Sequence, residues 1–281
     1  MKPRKRVFNA IILYFLLLIV AVISIFPLLW GIASSLRPDA ELFRYAIPFS
    51  SKTFIPQEPT FQAYIDLFTR FNFMRPIRIT LVVTSLTIIF GCMVNGVAAF
   101  SFATFNFKFK NIIYTIVLVS FMIPFEAIAM PLYNVVNQFR WVDTIYGLVV
   151  PSVADGLVLF LFTQFFRDIP TSLIEAARVD GASWRTVFIR IVMPNSIPVF
   201  ITAGLMIFMN QWNSYLWPLL VARSRHFQMI QIALATFRSE YHTNWAAIYA
   251  GSIISALIPL FMFLPLQKYF VQGIISTGVK G

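Results

Sequence analysis

Residues 167–194 read RDIPTSLIEAARVDGASWRTVFIRIVMP. The punctuation of this stretch predicts two short helices joined by a sharp turn. Pro170 suits a helix start, because its missing N–H has no intrahelical partner there anyway. Ser172-x-x-Glu175 has the spacing of a capping box. Gly181 stops the first helix, since glycine enters the left-handed region without a Cβ penalty. Asp180 or Ser183 can cap the second helix. That helix carries Trp184, Val187, Phe188, Ile191 and Val192 on one face, with Arg185, Thr186 and Arg190 largely opposite. Pro194 marks the way into the next apolar run.

What surrounds this stretch is apolar. Of 281 residues, 59% are hydrophobic and only 12% charged, where a soluble domain carries roughly 25% charged. Mean hydropathy is +0.78. A helix needs about 20 apolar residues to cross a bilayer, and six runs reach that length: 10–31, 79–102, 112–135, 145–166, 197–221 and 246–270. The quoted stretch, with Asn195, makes up the 167–195 connection between the fourth and fifth. The expectation is an all-α integral membrane protein, one transmembrane domain over 1–281, with six spans and a helix–turn–helix on the membrane surface. Prolines at 27, 124, 131, 218, 259 and 265 predict kinked, packed helices rather than a β-barrel. Lys2, Arg4, Lys5 and Arg6 resemble the start of a signal peptide, but the following run is too long and lacks a cleavage site, so it reads as an uncleaved first span.

The single cysteine, Cys92, excludes an internal disulfide, and with two histidines it argues against a metal site. The net charge of +11 comes from bases in short stretches between apolar runs, which points to the membrane surface and not to nucleic acid. With both termini inside, 12 of the 22 bases face the cytoplasm and 10 face out. The compact basic N-terminus sets that orientation more than the totals do. Of the two long connections, 37–78 lies outside in this arrangement. Within it Phe61, Tyr64, Ile65, Phe68 and Phe71 recur at helical spacing, which predicts an amphipathic helix on the membrane surface.

The helix–turn–helix admits two readings from its chemistry alone. Adjacent alanines let a partner's backbone come close, and Glu175 offers a bidentate acceptor to a partner's arginine. The plainer reading is that Glu175 caps its own helix and the alanines merely favour helicity.

The run Glu175-Ala176-Ala177, three residues, Gly181, nine residues, Ile191, one residue, then Met193-Pro194 resembles the EAA motif of the membrane-spanning subunits of bacterial ATP-binding-cassette importers. The family usually has Leu where this chain has Met193. Arg178-Val179-Asp180-Gly181-Ala182-Ser183 looks like the carbohydrate branch, as do Ile123-Pro124, Pro131-Leu132-Tyr133, Trp212-Asn213, Pro218-Leu219, Trp245, Val271-Gln272-Gly273 and Val279-Lys280-Gly281. Ile79-Thr80-Leu81 departs from the Asn-Ser-Leu of that branch. The chain is most similar to the second permease subunit of maltose-type systems.

The resemblance implies the type I importer permease fold in the bacterial cytoplasmic membrane. It implies that Glu175, Ala176, Ala177, Asp180, Gly181 and Ala182 couple the spans to a separate ATPase dimer, which binds ATP and Mg. It also implies a second permease subunit and an extracellular solute-binding protein. The sequence has no G-x-x-x-x-G-K-[ST] phosphate loop, so no cofactor is expected in this chain and no enzymatic activity of its own.

Polar groups inside spans are costly, roughly 2.5–3.5 kcal/mol for a charge at the centre by insertion scales. Asp155 and Glu126 are the two acids there. Asn210, Gln211 and Asn213, with Ser214, cluster in the fifth run beside Trp212, Tyr215 and Trp217. Amides beside aromatic rings suit sugars, so Asn210, Gln211, Trp212, Asn213, Asp155 and Glu126 are substrate-path candidates. Ordinary interhelical hydrogen bonding explains the same residues without a substrate. The rival function is an ion- or proton-coupled secondary carrier, with Asp155 and Glu126 as a proton relay. It leaves the helix–turn–helix without a role.

Overall fold

A computed structural model describes residues 3–42, 44, 51–238 and 243–278, with side-chain surroundings missing for 3–8, 40 and 270–278. Lys2, His242 and the closing Val279-Lys280-Gly281 lie outside the described residues. Among the described residues the structure is helical apart from an isolated bridge between Arg238 and Thr243. The α-helices in chain order are α1 (Pro3–Ser35), α2 (Ser51–Phe54), α3 (Gln62–Thr69), α4 (Met74–Thr104), α5 (Lys110–Ser120), α6 (Phe125–Gln138), α7 (Ile145–Val149), α8 (Gly156–Arg167), α9 (Thr171–Val179), α10 (Trp184–Val187), α11 (Met193–Asn195), α12 (Ile197–Trp212), α13 (Leu216–Val221), α14 (Ile230–Thr236) and α15 (Trp245–Gly278).

Three stretches are long and apolar enough to cross a membrane unbroken: Asn9–Ser35, Met74–Thr104 and Trp245–Tyr269. Three further candidates are bent pairs. The run expected at 112–135 is divided into α5 and α6, bent by 96°. Pro124 causes the break: it has no N–H to donate and disfavours the helical region for Ile123. The run at 145–166 bends by 46° between the helical segment Ile145–Ser152 and α8. The run at 197–221 also departs from a continuous helix. It stops at Trp212, resumes at Leu216, and its start meets Trp184–Asn195 at 82°. Pro194 and Pro198 flank that corner. Just before it, Phe188–Val192 forms a π-helical turn in which Met193 N–H reaches Phe188 O. Pro194 cannot donate to Arg190, and its ring presses on that carbonyl, so the turn before it widens.

The chain divides into two compact units. Unit 1 comprises residues 1–74 and 234–258. In it Arg37 is buried and donates to the carbonyls of Lys52 and Thr53. Asp39 Oδ1 accepts Ala246 N–H at 3.0 Å and Asn244 Oδ1 accepts Ala247 N–H at 2.9 Å, so the first turn of α15 has two side-chain caps. The expected amphipathic helix is present as α3, with the stripe named from sequence largely exposed and another face packed inside. Ala63 and Leu67 pack inside, while Phe61, Ile65 and Phe68 are exposed.

Unit 2 comprises residues 75–233 and 259–281. Its centre is α4, whose buried residues are mostly small or polar, Thr80, Thr84, Thr87, Gly91, Asn95, Gly96 and Ala99, beside the larger Ile77, Val83 and Phe100. Lipid is as apolar as leucine, so packing between membrane helices selects small residues that let backbones approach. One core joins α4, α8, α10 and α12 through Phe100, Phe162, Val187, Val192 and Val199. Another gathers Val83, Val136, Leu148, Trp217 and Met229.

Candidate functional site

Three of the helix breaks of unit 2 meet, the 82° corner at 195–197 not being among them. The end of α5, the link between α7 and α8, and the end of α12 line one cavity of about 400 Å³, within the usual range for a small-molecule site. Its polar groups are Ser120 from the first break, Ser152 and Asp155 from the second, and Asn210, Gln211 and Ser214 from the third, with Trp217 and Phe125 supplying aromatic wall. The Trp217 indole N–H is anchored to Gly147 O at 3.0 Å, and Phe125 meets its ring edge-on at 6.0 Å.

The second break is held open from α4. Asn95, buried, donates its amide to Gly91 O at 2.7 Å and to Val153 O at 2.8 Å, and its Oδ1 accepts Asp155 N–H at 3.1 Å. The Asp155 carboxylate then caps α8. Its Oδ1 accepts from Leu157 N–H at 2.9 Å and Val158 N–H at 3.0 Å. Non-helical backbone at membrane depth is tolerated where protein groups satisfy it, and Asn95 and Asp155 do this. Gly156 closes the arrangement: a Cβ there would lie 2.4 Å from the Phe121 ring, so only glycine lets the first and second breaks pack together.

The cavity brings together Asp155, Asn210 and Gln211 of the residues proposed from sequence. It does not include the other three. Trp212 is 1% exposed and stacked on Phe208 at 5.5 Å, with its carbonyl accepting from Gln231 Nε2 at 3.2 Å. Asn213 donates its amide to Met209 O at 2.8 Å and finishes α12. Glu126 is exposed in the first turn of α6, where a negative charge suits the helix dipole. Sequence reasoning missed Asn95. A mid-span amide with Gly91, Thr87 and Thr84 on the same face of a helix was the available signal.

The helix–turn–helix forms the second site. The capping box does not form: Pro170 occupies the N-cap position of α9 and no side chain caps it. Pro170 already presets the entry angle, and Ser172 falls inside the helix. The far end of α9 closes as a Schellman motif. Gly181, at φ +81°, donates to Arg178 O at 3.1 Å, and Ala182 donates to Ala177 O at 2.9 Å. Arg178 ties the turn further, donating to Ala182 O at 2.5 Å and lying 4.5 Å over the Trp184 ring. Ser183 Oγ accepts Thr186 N–H at 3.2 Å and caps α10.

The second helix is fixed to the bundle by aromatic contacts. Trp184 meets Phe105 edge-on at 4.7 Å, and Phe188 packs on Phe100 at 5.3 Å. The six proposed coupling residues then divide by direction. Ala177 and Ala182 pack against the bundle core. Glu175, Ala176, Asp180 and Gly181 are exposed, beside Leu173 and Val179, the latter 88% exposed. Among the described residues the Glu175 side chain has no hydrogen bond or ion pair. The turn is therefore a rigid knob with an apolar tip and a free carboxylate.

Comparison with known proteins agrees with this architecture. Residues 88–276 match the family model described as binding-protein-dependent transport system inner membrane component. The chain is 32% identical to the arabinooligosaccharides transport system permease protein AraQ of Halalkalibacterium halodurans, over 93% of each chain. It is 29% identical to the lactose transport system permease protein LacG of Rhizobium radiobacter, over 99% of each. Its fold is similar to a chain of a bacterial ABC transporter involved in the import of the acidic polysaccharide alginate, with a TM-score of 0.82 at 20% identity, covering 96% of this chain and 99% of that one. Importers of this kind combine a permease pair with an ATPase and a binding protein. The carrier alternative is not favoured, and Asp155 already serves as a helix cap. Matched along most of its length, the chain belongs to the binding-protein-dependent inner membrane components, the multi-pass permease subunits of ATP-binding-cassette importers.

Proposed function

We propose that this subunit moves a neutral sugar or oligosaccharide inward, and that the cavity at the three helix breaks is its share of the passage. The observation that carries the reading is the lining itself. Amides, hydroxyls and an aromatic wall suit a solute with many hydroxyls and apolar ring faces. No Lys, Arg or His lines the cavity, and Asp155 repels anions, so the lining favours an uncharged solute. Relatives named for arabinooligosaccharide and lactose transport support the sugar class.

In this reading both termini and the 167–195 stretch are cytoplasmic. The exposed knob of Glu175, Ala176, Asp180 and Gly181 seats in a cleft of the partner ATPase, which holds ATP and Mg. Ala177 and Ala182 pass the movement to the bundle. A second permease subunit completes the pathway, and the binding protein delivers sugar to the outer surface, where residues 37–78 lie.

The test is uptake by the assembled importer. The subunit, co-purified with its partners and reconstituted in liposomes with the binding protein, is given labelled arabino-oligosaccharide or lactose. ATP-dependent accumulation is expected, and Gln211→Ala or Asn210→Ala should lower it by roughly tenfold, as each removes hydrogen bonds to the solute. Sugar uptake that needs no ATP overturns the importer reading. Full uptake by both variants overturns the assignment of the cavity.

A further inference from the structure

A basic pocket of about 530 Å³ lies away from the passage, where the link between α4 and α5 faces the C-terminal end of α8. Lys110, the first residue of α5, and Arg167, the last of α8, both line it, with no acidic residue in the lining. Their donors are largely unengaged. Lys110 Nζ donates to Phe105 O at 2.8 Å, which leaves two ammonium protons. The Arg167 guanidinium lies 5.5 Å from the Tyr114 ring centre and, among the described residues, makes no hydrogen bond or ion pair. Asp168, the nearest acid in sequence, is not in the lining. Asn106 adds an amide.

The rim of the same pocket is apolar. Phe107, Phe109 and Ile112 line it and are 42%, 58% and 57% exposed. From Ile112 an exposed apolar stripe runs along α5 through Ile116 and Val119, at helical spacing. Two like charges without a counter-charge, placed at the end of a helix whose outer face is apolar, match a ligand with an anionic head and a hydrocarbon tail. Basic pockets between membrane helices hold lipid headgroups by this chemistry.

We propose that Lys110 and Arg167 bind the phosphate of an anionic phospholipid, whose acyl chain lies along Ile112, Ile116 and Val119. A free phosphate ion would use the two cations but not the apolar stripe, so the two sources can be told apart.

The experiment uses the full chain with any co-purifying partners, delipidated in detergent and titrated with phosphatidylglycerol, with phosphatidylcholine of the same chains, and separately with inorganic phosphate. Bound lipid is counted by native mass spectrometry. Phosphatidylglycerol should bind preferentially, and the double variant Lys110→Ala with Arg167→Ala should weaken it by roughly 30-fold, taking both bases together. Lys108→Ala should weaken binding far less than the double variant, because Lys108, over the Phe109 ring, is not among the lining residues. The charge-keeping pair Lys110→Arg with Arg167→Lys should retain the lipid, which separates loss of charge from loss of fold. Equal retention of the two lipids overturns the proposal. So does unchanged phosphatidylglycerol binding by the double alanine variant, or displacement of all bound lipid by millimolar inorganic phosphate.

Discussion

Asp155 and Glu175 are both acids close to a helix break in unit 2, yet their surroundings are opposite. Asp155 is tied into the protein: its carboxylate caps α8, and its N–H is bound by Asn95 from α4. Glu175 stands on a turn whose backbone is closed by its own motif, and its carboxylate is left facing outward. At the inner break the polar side chains satisfy the backbone. At the outer turn glycine satisfies the backbone, which frees the side chains for a partner. An acid in an apolar sequence therefore marks a helix break in one place and an exposed turn, the proposed docking surface, in the other. The backbone around it decides which.

This contrast can be broken from either side. The largest effect is expected for Gly181→Pro. Proline holds φ near −65° where the chain sits at +81°, and it removes the N–H bound to Arg178 O. That costs about 3 kcal/mol or more at the turn. Sugar uptake should be lost while the subunit still co-purifies with its partners, because the buried residues of the bundle core lie outside the turn, from which only Ala177 and Ala182 touch that core. Normal uptake by this variant would remove the turn from the coupling path.

Next comes Asn95→Leu, which attacks the inner break. Val153 O and Asp155 N–H lose their side-chain partner at membrane depth, at about 1–3 kcal/mol each. Thermal unfolding in detergent should shift down markedly, and the yield of assembled importer should fall with it. An unchanged unfolding temperature would mean that the break is held by something other than Asn95.

The smallest effect is expected for Asp155→Asn. Asparagine caps helices about as well as aspartate, so stability should change by about 0.5 kcal/mol or less. If capping is the residue's whole role, uptake also survives. A proton relay through Asp155 predicts instead that uptake collapses in this variant at unchanged stability. The same measurement thus sharpens the contrast with Glu175, whose carboxylate is proposed to meet a partner and not its own helix.

The helix–turn–helix was legible because its signals are local. Gly181 sits where a left-handed residue is needed, and Ser183 sits at a helix start. The capping box was misread for an equally local reason: with Pro170 at the N-cap the helix starts two residues earlier than Ser172 would start it. The spans were legible from composition, but their breaks were not. Pro124 marked one break, whereas Pro218 sits inside α13 and the fifth run stops after Trp212 instead. Which residues of α3 pack inside the protein could not be read from the stripe, for a deeper reason. In water an apolar stripe points to the core, but beside a membrane it can equally face lipid, so periodicity finds a face without saying what covers it. Within α4 the informative pattern is the reverse, small and polar residues facing inward, and reading it that way would have found Asn95. Half of the proposed passage residues meet in the cavity. Trp212, Asn213 and Glu126 do not, because adjacency in sequence on a helix is not a shared face.

The most direct test of the central claim is a paired measurement on the reconstituted importer carrying Glu175→Lys, with ATP hydrolysis and sugar uptake recorded in the same liposomes. The exposed carboxylate predicts intact folding and co-purification of partners, with uptake reduced at least tenfold for each ATP hydrolysed if, as proposed, Glu175 meets a basic group in the ATPase cleft, where charge reversal would be repulsive. Wild-type uptake per ATP in this variant would contradict the account, because it would leave the knob of α9 and its turn without a role in driving transport.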